Sequence, residues 1–301
     1  MKGNTLGHLA CFVAYTIFGI NIIVCKDLTT SQLLSPVALF CLRSLGAGLL
    51  FWLIGSFLPK EKVDRKDYLK IFMAAVLGFF LTQMTFLIAI PSITPMDCSI
   101  VTSLSPIYTM FIAYFALREP ITLRKAGGVA LSFCGIVYLI LNSATGADTS
   151  VQTSVWGLLL MIANSLCFSL YLGLFKPTIC MYSVITFMKW IFLFSTLMAL
   201  PLAVGEIVMF DYSVPDNVYW TELAFLIICS TFITYFLIPF GQKRIRPTLV
   251  SMYSYVQPIV AIAVSICVGM DTLSWQKVLA AATVFGGVVL VTYSRSVSAK
   301  S

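Results

Sequence analysis

The sequence predicts an all-α membrane protein with ten transmembrane helices arranged as two inverted five-helix repeats. Hydrophobic residues make up 59% of the 301 residues and charged residues only 10%, whereas a soluble domain carries about 25% charged residues. A helix needs roughly 20 mostly apolar residues to cross a bilayer, and residues 71–90 and 126–147 provide such stretches without a charge. The third observation is an internal repeat.

The second half of the chain aligns with the first, without a gap, at an offset of 152 positions. The offset matches these pairs: Ser99 with Ser251, Pro106 with Pro258, Lys125 with Lys277, Ala130 with Ala282, and Gly135 with Gly287. An odd number of crossings in each repeat makes the second repeat enter the membrane from the opposite side. We therefore divide the chain into residues 1–147 and 148–301, an organisation typical of secondary transporters with a binding site at mid-membrane.

Apolar stretches place the ten spans in order along the chain. Their expected ranges are 6–27, 35–58, 68–90, 96–117, 124–143, 155–176, 182–204, 219–241, 247–269 and 275–294. The first stretch lacks the basic start and small-residue cleavage site of a signal peptide, so we interpret it as a retained span. The short connections make consecutive helices antiparallel neighbours.

The distribution of basic residues predicts the orientation. With a cytoplasmic N-terminus, the inner loops would hold Lys60, Lys62, Arg65, Lys66, Lys70, Arg118, Arg124, Lys125, Lys243, Arg244, Arg246, Arg295 and Lys300. Basic residues near span ends favour the cytoplasmic side. We expect a multi-pass protein of the cell membrane (plasma or inner membrane) with both termini in the cytoplasm.

Two basic residues, Arg43 and Lys189, lie well inside expected spans. A cation at such depth costs at least about 2.5–3.5 kcal/mol and usually faces a water-filled cavity or a partner. One interpretation is that both attract a substrate carboxylate or phosphate. The alternative is that each bonds backbone carbonyls or reaches toward the lipid headgroups, which arginine's five donors suit particularly well.

The fourth and ninth spans carry prolines at matching repeat positions, Pro106 and Pro258. Proline removes one helical hydrogen bond and clashes with the carbonyl four residues earlier. We expect a pair of bent helices that line the transport path and hinge there, the alternative being a static kink repaired by hydroxyl groups.

Other polar and aromatic side chains in the spans are candidates for the cavity wall. With Arg43 and Lys189, the predicted substrate-binding set comprises Tyr15, Asn21, Gln83, Thr102, Tyr108, Asn164, Tyr171, Trp190, Tyr255 and Gln257. Each could instead form an interhelical hydrogen bond, worth about 0.6–2 kcal/mol.

The fifth and tenth spans carry small residues at helical spacing: Gly128, Ser132 and Gly135, and then Ala282 and Gly286. Small residues let helices approach closely. These helices should join the two halves or a second subunit, so the protein would be a monomer or a homodimer through these two spans. We expect membrane lipid and a small-molecule substrate as partners, and no nucleic acid, cofactor or metal.

The run Ser99–Pro106–Ala113–Arg118–Glu119–Pro120, followed by Gly127, Gly128 and Gly135, resembles the EamA signature of the drug/metabolite transporter superfamily. The Ser251–Pro258–Asp271–Gly287 copy is similar, and Arg43 matches an arginine common in the family's second helix. The resemblance implies a carrier whose spans one to four and six to nine surround the cavity. It also implies export of amino acids or other metabolites, uptake of nucleotide derivatives, or exchange of sugar phosphates.

We therefore expect a secondary transporter that moves amino acids or related carboxylates by alternating access, with export favoured by the resemblance. An exchanger or importer of phosphorylated or nucleotide-type anions is the alternative. An intramembrane enzyme is disfavoured, because the only histidine is His8 and no Gly-x-Ser-x-Gly motif is present. A membrane sensor or scaffold is the remaining non-transporter interpretation.

Overall fold

The computed structural model describes residues 2–117, 123–145, 153–270 and 274–293, and every regular element among them is helical. The elements are α1 (Lys2–Thr30), α2 (Pro36–Ser56), α3 (Asp67–Ala75), α4 (Thr82–Ala89), α5 (Pro95–Thr102), α6 (Ser105–Leu117), α7 (Leu123–Thr145), α8 (Val155–Leu174), α9 (Lys176–Met181), α10 (Val184–Met209), α11 (Asn217–Phe225), α12 (Thr234–Gln242), α13 (Pro247–Met252), α14 (Val256–Val268) and α15 (Trp275–Tyr293).

Seven helical segments of the described residues are long and apolar enough to cross a membrane. They are Thr5–Thr30, Pro36–Ser56, Asp67–Ser92, Val155–Leu174, Val184–Met209, Asn217–Gln242 and Leu249–Val268. The predicted fifth and tenth spans contain the shorter apolar stretches Ala126–Gly135 and Val278–Gly287. The all-helical membrane class is thus confirmed, while ten crossings and inverted repeats stay predictions.

The predicted fourth span is not one continuous helix. It breaks after Thr102, and a new helix begins at Ser105, one residue before Pro106. The ninth is interrupted in the corresponding region, where a 3₁₀ turn over Tyr253–Tyr255 separates α13 from α14. Proline is well tolerated in the first turn of a helix, because its missing N–H would have no partner there. Each proline therefore lies just after a break rather than within a bend.

The third and eighth spans each contain a π-helical turn, over Val76–Leu81 and Leu226–Ile233. The Thr82 hydroxyl donates to the Leu77 carbonyl at 2.6 Å, and the Thr234 hydroxyl donates to the Cys229 carbonyl at 2.7 Å. The two threonines are 152 positions apart, as are the two carbonyls that they bond. In both halves, therefore, a threonine hydroxyl forms a hydrogen bond with a backbone carbonyl of the π-helical turn.

Helices α2 and α10 pack together, with a carboxylate bound to the first turn of each. Glu206 of α10 accepts the backbone N–H of Ser35, the N-cap of α2, at 2.6 Å. Glu61, just beyond α2, accepts the backbone N–H of Ser183, the N-cap of α10, at 2.9 Å. Because carboxylates near helix N-termini are stabilising, these two clamps fix both ends of the pair.

Helices α7 and α15, the predicted fifth and tenth spans, pack against each other. The Ser132 hydroxyl donates to the Val284 carbonyl at 3.0 Å. A Cβ added to Gly287 would lie 2.4 Å from the Gly128 carbonyl oxygen and 2.3 Å from Ser132 Oγ. The small residues thus join the two halves within one chain, while a homodimer stays a prediction.

Candidate substrate cavity

A central cavity of about 50 Å³ is lined by side chains of both halves. Its lining residues are Tyr15, Phe18, Asn21, Thr82, Gln83, Phe86, Thr102, Ser105, Asn164, Phe168, Tyr235 and Gln257. Every one of them is uncharged, and the wall combines amide and hydroxyl groups with aromatic rings. Such a wall offers hydrogen bonds and ring contacts without a net charge, as small-molecule sites commonly do.

The side chain of Gln83 lies at the centre of a buried hydrogen-bond network. Its amide donates to the Tyr235 hydroxyl at 2.8 Å, a bond between residues 152 positions apart. Its carbonyl accepts from Arg43 Nη1 at 2.7 Å. Gln83 and Tyr235 each follow a π-helical turn, and the bond between them joins the third and eighth spans at the cavity.

Arg43 lies behind Gln83 and is fully buried. Its Nε donates to the Thr231 hydroxyl at 3.0 Å, so the guanidinium joins the first half to the second. Its Nη2 is buried without a hydrogen-bond partner among the described residues. Arg43 therefore reaches the cavity through Gln83, and the two N–H groups of its Nη2 are not used in a hydrogen bond within the described part of the chain.

Two further amides are fixed at the wall by bonds across the bundle. Asn164 of α8 donates to the Thr82 carbonyl, which belongs to the first turn after the π-helical turn. Asn21 of α1 accepts from the Ser230 hydroxyl at 2.5 Å and from the Cys25 thiol at 3.3 Å. Both amides therefore tie one half to the other while facing the cavity.

Aromatic rings form the apolar part of the wall. Phe18 packs edge-to-face against Tyr15, Phe168 and Tyr235, with ring centroids 5.9, 6.5 and 6.1 Å away. The Tyr15 hydroxyl is buried without a partner among the described residues. Since buried polar groups are normally hydrogen-bonded, this hydroxyl is an available contact for a bound molecule.

Six of the predicted binding residues are brought together at the cavity, and the other six lie elsewhere. Tyr15, Asn21, Gln83, Thr102, Asn164 and Gln257 line it, whereas Arg43, Lys189, Tyr108, Tyr171, Trp190 and Tyr255 do not. Whether any of them binds substrate stays a prediction.

Lys189 and Trp190 belong to an aromatic group away from this cavity. The Lys189 amine lies 5.1 Å from the centroid of the Trp52 ring, and the Trp190 ring lies 5.6 Å from that of Trp52 and 4.9 Å from that of Tyr68. A lysine above a tryptophan ring gains a cation–π contact. This contact was not among the sequence interpretations of Lys189, and the role of Lys189 in substrate binding stays a prediction.

The three tyrosines outside the cavity pack within the bundle. Tyr171 is fully buried, and a Cβ added to Gly78 would lie 2.3 Å from its ring. Tyr255 contacts the ring of Phe285 at 6.1 Å, and Tyr108 packs half-buried against the core. Helical periodicity identifies buried faces but does not separate a cavity wall from close packing.

Pro106 and Pro258 are both buried, and backbone N–H groups around the first break, those of Ser103, Leu104 and Ile107, are hydrogen-bonded. The Thr102 carbonyl accepts the Ser105 hydroxyl at 2.9 Å, as the alternative of a hydroxyl-repaired kink requires. A hinge role for the two prolines stays a prediction. Glu119 and Asp271 of the sequence motif lie outside the described residues.

The sequence interpretation missed Phe18, Thr82, Phe86, Ser105, Phe168 and Tyr235 as lining residues. For Tyr235 a signal existed, because the repeat offset pairs it with Gln83, which was predicted. Thr82 directly precedes Gln83 and could have been included with it. The three phenylalanines carry no signal that separates them from the many other apolar aromatics of the spans.

Comparison with known proteins identifies the family. The EamA-like transporter family matches the chain twice, over residues 5–141 and 155–293. The chain belongs to this family. The two matches cover corresponding parts of the two halves, in agreement with the internal repeat. The resemblance read from the motif residues is therefore confirmed.

The relatives are transporters with little assigned function. The uncharacterized transporter YetK of Bacillus subtilis is 26% identical over 75% of this chain and 68% of its own length. An S-adenosylmethionine/S-adenosylhomocysteine transporter of Chlamydia muridarum is 30% identical, over only 36% of this chain and 35% of its own. A solved crystal structure with 17% identity aligns with a TM-score of 0.64 over 97% of this chain and 96% of its own, which shows the shared fold.

Proposed function

We propose that this protein is a secondary transporter of small polar metabolites such as amino acids or related carboxylates, and that it has no catalytic activity. The observation that carries the proposal is the uncharged cavity lined by amides, hydroxyls and aromatic rings from both halves. A site where two repeats meet within the membrane is accessible to either side when one repeat moves against the other.

Ten crossings in two inverted repeats are part of the proposal. Its support is a set of contacts between residues 152 positions apart: Ser44 with Thr196 at 2.8 Å, Gln83 with Tyr235 at 2.8 Å, and Ser132 with the Val284 carbonyl at 3.0 Å. Residues on a two-fold axis meet their own symmetry equivalents, so a pseudo-two-fold axis between the repeats explains these pairs.

Alternating access also explains the small size of the cavity. About 50 Å³ holds a few water molecules but no amino acid. Substrate entry therefore needs the halves to separate on one side, and we propose that the breaks beside Pro106 and Pro258 allow this movement. Gln83, Tyr235 and Arg43 would then define the closed arrangement.

The substrate would be held chiefly by uncharged groups. Asn21, Gln83, Asn164 and Gln257 supply both donors and acceptors, and Tyr15 and Phe18 supply ring surface. A substrate carboxylate would be recognised by the free Nη2 of Arg43 once the cavity widens. Because a wall without basic residues matches little negative charge, we rank amino acids above phosphorylated anions.

Nucleotide-type metabolites are the second candidate class. The chlamydial relative named for S-adenosylmethionine and S-adenosylhomocysteine supports it, although it aligns with about a third of the chain. Amide side chains beside aromatic rings also suit a planar heteroaromatic base. Export is favoured over uptake only through the family resemblance.

For the membrane setting, we propose a cell-membrane location with both termini in the cytoplasm, as the basic inner loops indicate. We also propose a monomer, or a homodimer through α7 and α15. Since the small residues of these helices already face each other within the chain, a dimer would use their outer faces.

The test is a metabolite screen followed by flux. Purified protein is screened by thermal shift, since a ligand stabilises what it binds, and the hits are measured for transport in proteoliposomes. Gln83→Ala should lower transport of the hit about 10-fold or more, because it removes a wall amide and two buried bonds. Gln276→Ala changes an exposed glutamine of α15 and is the matched control. Binding without flux in the unaltered protein would instead indicate a sensor.

A further inference from the structure

The N-terminal part of α1 lies against the end of the eighth span, which belongs to the other half. A Cβ added to Gly7 would lie 2.9 Å from Arg244 Cβ and 3.3 Å from Ile245 Cγ2. Any side chain at Gly7 would therefore push the two halves apart, at the face that the charge bias assigns to the cytoplasm. We call the packing of Gly7 on residues 241–245 the inner contact.

The N-terminal part of α8 makes the corresponding contact at the opposite face. A Cβ added to Gly157 would lie 2.7 Å from Ser92 Oγ and closer still to the Ile93 side chain. The backbone N–H of Ser154, the N-cap of α8, donates to the Ser92 carbonyl at 2.8 Å. We call the packing of Gly157 on residues 89–93 the outer contact.

The repeat relates the two contacts residue by residue. Gly7 and Gly157 are 150 positions apart, and so are Phe18 and Phe168 of the same two helices. The neighbours of the two glycines are 152 positions apart: Arg244 and Ser92, Ile245 and Ile93, and the carbonyl oxygens of Gly241 and Ala89. The inner and outer contacts are therefore one arrangement formed twice, with the two halves exchanged.

A lysine bonds each of these loops to its own half. Lys26, near the end of α1, donates from Nζ to the Ile93 carbonyl at 2.9 Å and to two further carbonyls of the same loop. Lys176, two residues after α8, donates from Nζ to the Ile245 carbonyl at 2.9 Å. The two lysines are again 150 positions apart. Each loop is thus tied to the first span of its own half and lies against the first span of the other.

The two first helices also meet midway between the contacts, at the central cavity. The rings of Phe18 and Phe168 line it, and their centroids are 6.5 Å apart. Gly7 precedes Phe18 by 11 residues and Lys26 follows it by eight, which places them about 16 and 12 Å away along the helix. A rotation of one half against the other about this point would open one contact while it closes the other.

We propose that the inner and outer contacts are two gates that open in turn, and that Gly7 and Gly157 are the residues that allow each gate to close. The proposal rests on the transport function proposed above. It gives these glycines, with Lys26 and Lys176, a role in the transport cycle apart from substrate binding. Both contacts are made in this structure, in agreement with a cavity too small for an amino acid.

Hydrogen–deuterium exchange of the purified full-length protein tests the gates without a substrate. Gly157→Ala places a methyl group in the outer contact, so the amides of residues 89–94 and 153–158 should exchange about 10-fold faster. If the gates alternate, this substitution also favours the state in which the inner gate is closed, and residues 241–246 should exchange about threefold more slowly. Gly7→Ala should give the opposite pattern.

Gly205→Ala is the matched control. Gly205 is an exposed glycine of α10, and an added Cβ there meets no atom within 4 Å, so both gates should exchange as in the unaltered protein. Ser154→Pro keeps the test valid if the glycine variants do not fold, because the φ of −74° at Ser154 suits proline and one N–H bond is lost. It should change both gates in the same directions as Gly157→Ala, by about twofold.

Faster exchange at the altered contact with no change at the other would show two independent packing contacts and would overturn the proposal. Faster exchange at both contacts would show a general loss of packing and would overturn it as well. Coupled exchange in a protein that carries no metabolite into proteoliposomes would refute the transport function but not the alternation of the two contacts. Flux of an identified metabolite without coupled exchange would refute the gates alone.

Discussion

The two halves of the protein share a backbone plan but differ in the side chains they place at the centre. Thr82 and Thr234 make the same bond to a carbonyl five residues earlier, yet the next residues are Gln83 and Tyr235. Arg43 of the first half corresponds, at the repeat offset, to Ser195 of the second. Identical residues at equivalent positions therefore form the same backbone structure in both halves, while different residues at equivalent positions determine which polar groups surround the cavity.

A reason for the Arg43–Ser195 difference lies in electrostatics. Two buried guanidinium groups near a common axis would repel each other and double the desolvation cost. A single arginine avoids this and bonds one side chain from each half, Gln83 and Thr231. The Ser195 hydroxyl, by contrast, is buried without a partner among the described residues.

The largest expected effect comes from removing this asymmetry. Arg43→Met should lower transport of an identified substrate about 10- to 100-fold, because the lost charged hydrogen bonds are worth about 1.5–3 kcal/mol each and Gln83 is no longer oriented. Ser195→Ala removes only an unbonded hydroxyl at the equivalent position and should change transport less than about twofold. Flux in proteoliposomes, normalised to folded protein, measures both.

Arg43→Lys sharpens the test, because lysine keeps the charge but loses the planar fork that reaches two acceptors. Partial activity would assign the role to positioning of Gln83 as well as to charge. Equal loss in Arg43→Met and Ser195→Ala would contradict the asymmetry argument.

Comparing variants of Thr82 and Thr234 separates the effect of a residue on protein stability from its effect on ligand affinity. Valine at either position should destabilise the protein by about 1 kcal/mol, because one carbonyl of the π-helical turn loses its bond. Only Thr82 lines the cavity, so only Thr82→Val should also weaken ligand affinity. Chemical unfolding in micelles and a ligand titration measure the two effects, and equal affinity changes in the two variants would refute the distinction.

Much of the architecture was predictable because it follows from hydrophobic length and from repetition. Uncharged apolar stretches located the helices, and the offset that pairs Pro106 with Pro258 also pairs the breaks beside them. The π-helical turns were not predictable, since residues 76–81 and 226–233 read as ordinary apolar helix. The π-helical turns depend on hydrogen bonds from threonine hydroxyls and on packing, and the amino-acid composition of a membrane span does not reveal either.

The site was only partly predictable, for a related reason. Polarity at mid-span selected Asn21, Gln83 and Asn164, which do line the cavity, because amides in a membrane need partners or water. The same criterion selected Lys189, which instead contacts the Trp52 ring, and Tyr171, whose ring packs against Gly78. The sequence shows which side chains need an interaction partner within the membrane, whereas the three-dimensional structure shows which partner each of them has.

The smallest effect concerns the two ends of the α2–α10 pair. Burial opposes ionisation of Glu61, but hydrogen bonds from Ser183 and Thr186 and the charge of Lys243 outweigh it, so the pKa of Glu61 is lowered. A carboxyl with a lowered pKa contributes stability above its unfolded value near 4.5, and this is lost as pH falls through the folded value. Because Glu61 is partly exposed, we expect about 0.5 kcal/mol.

Unfolding measured between pH 7 and pH 3 should therefore show a steeper loss of stability in the unaltered protein than in Glu61→Gln, which starts lower and lacks this titrating group. Ser183→Ala keeps the backbone N–H that Glu61 accepts and should retain much of the pH dependence. Parallel curves for the unaltered protein and Glu61→Gln would mean that the clamp at this end contributes nothing. The fixed geometry of the α2–α10 pair would then rest on Glu206 and apolar packing alone.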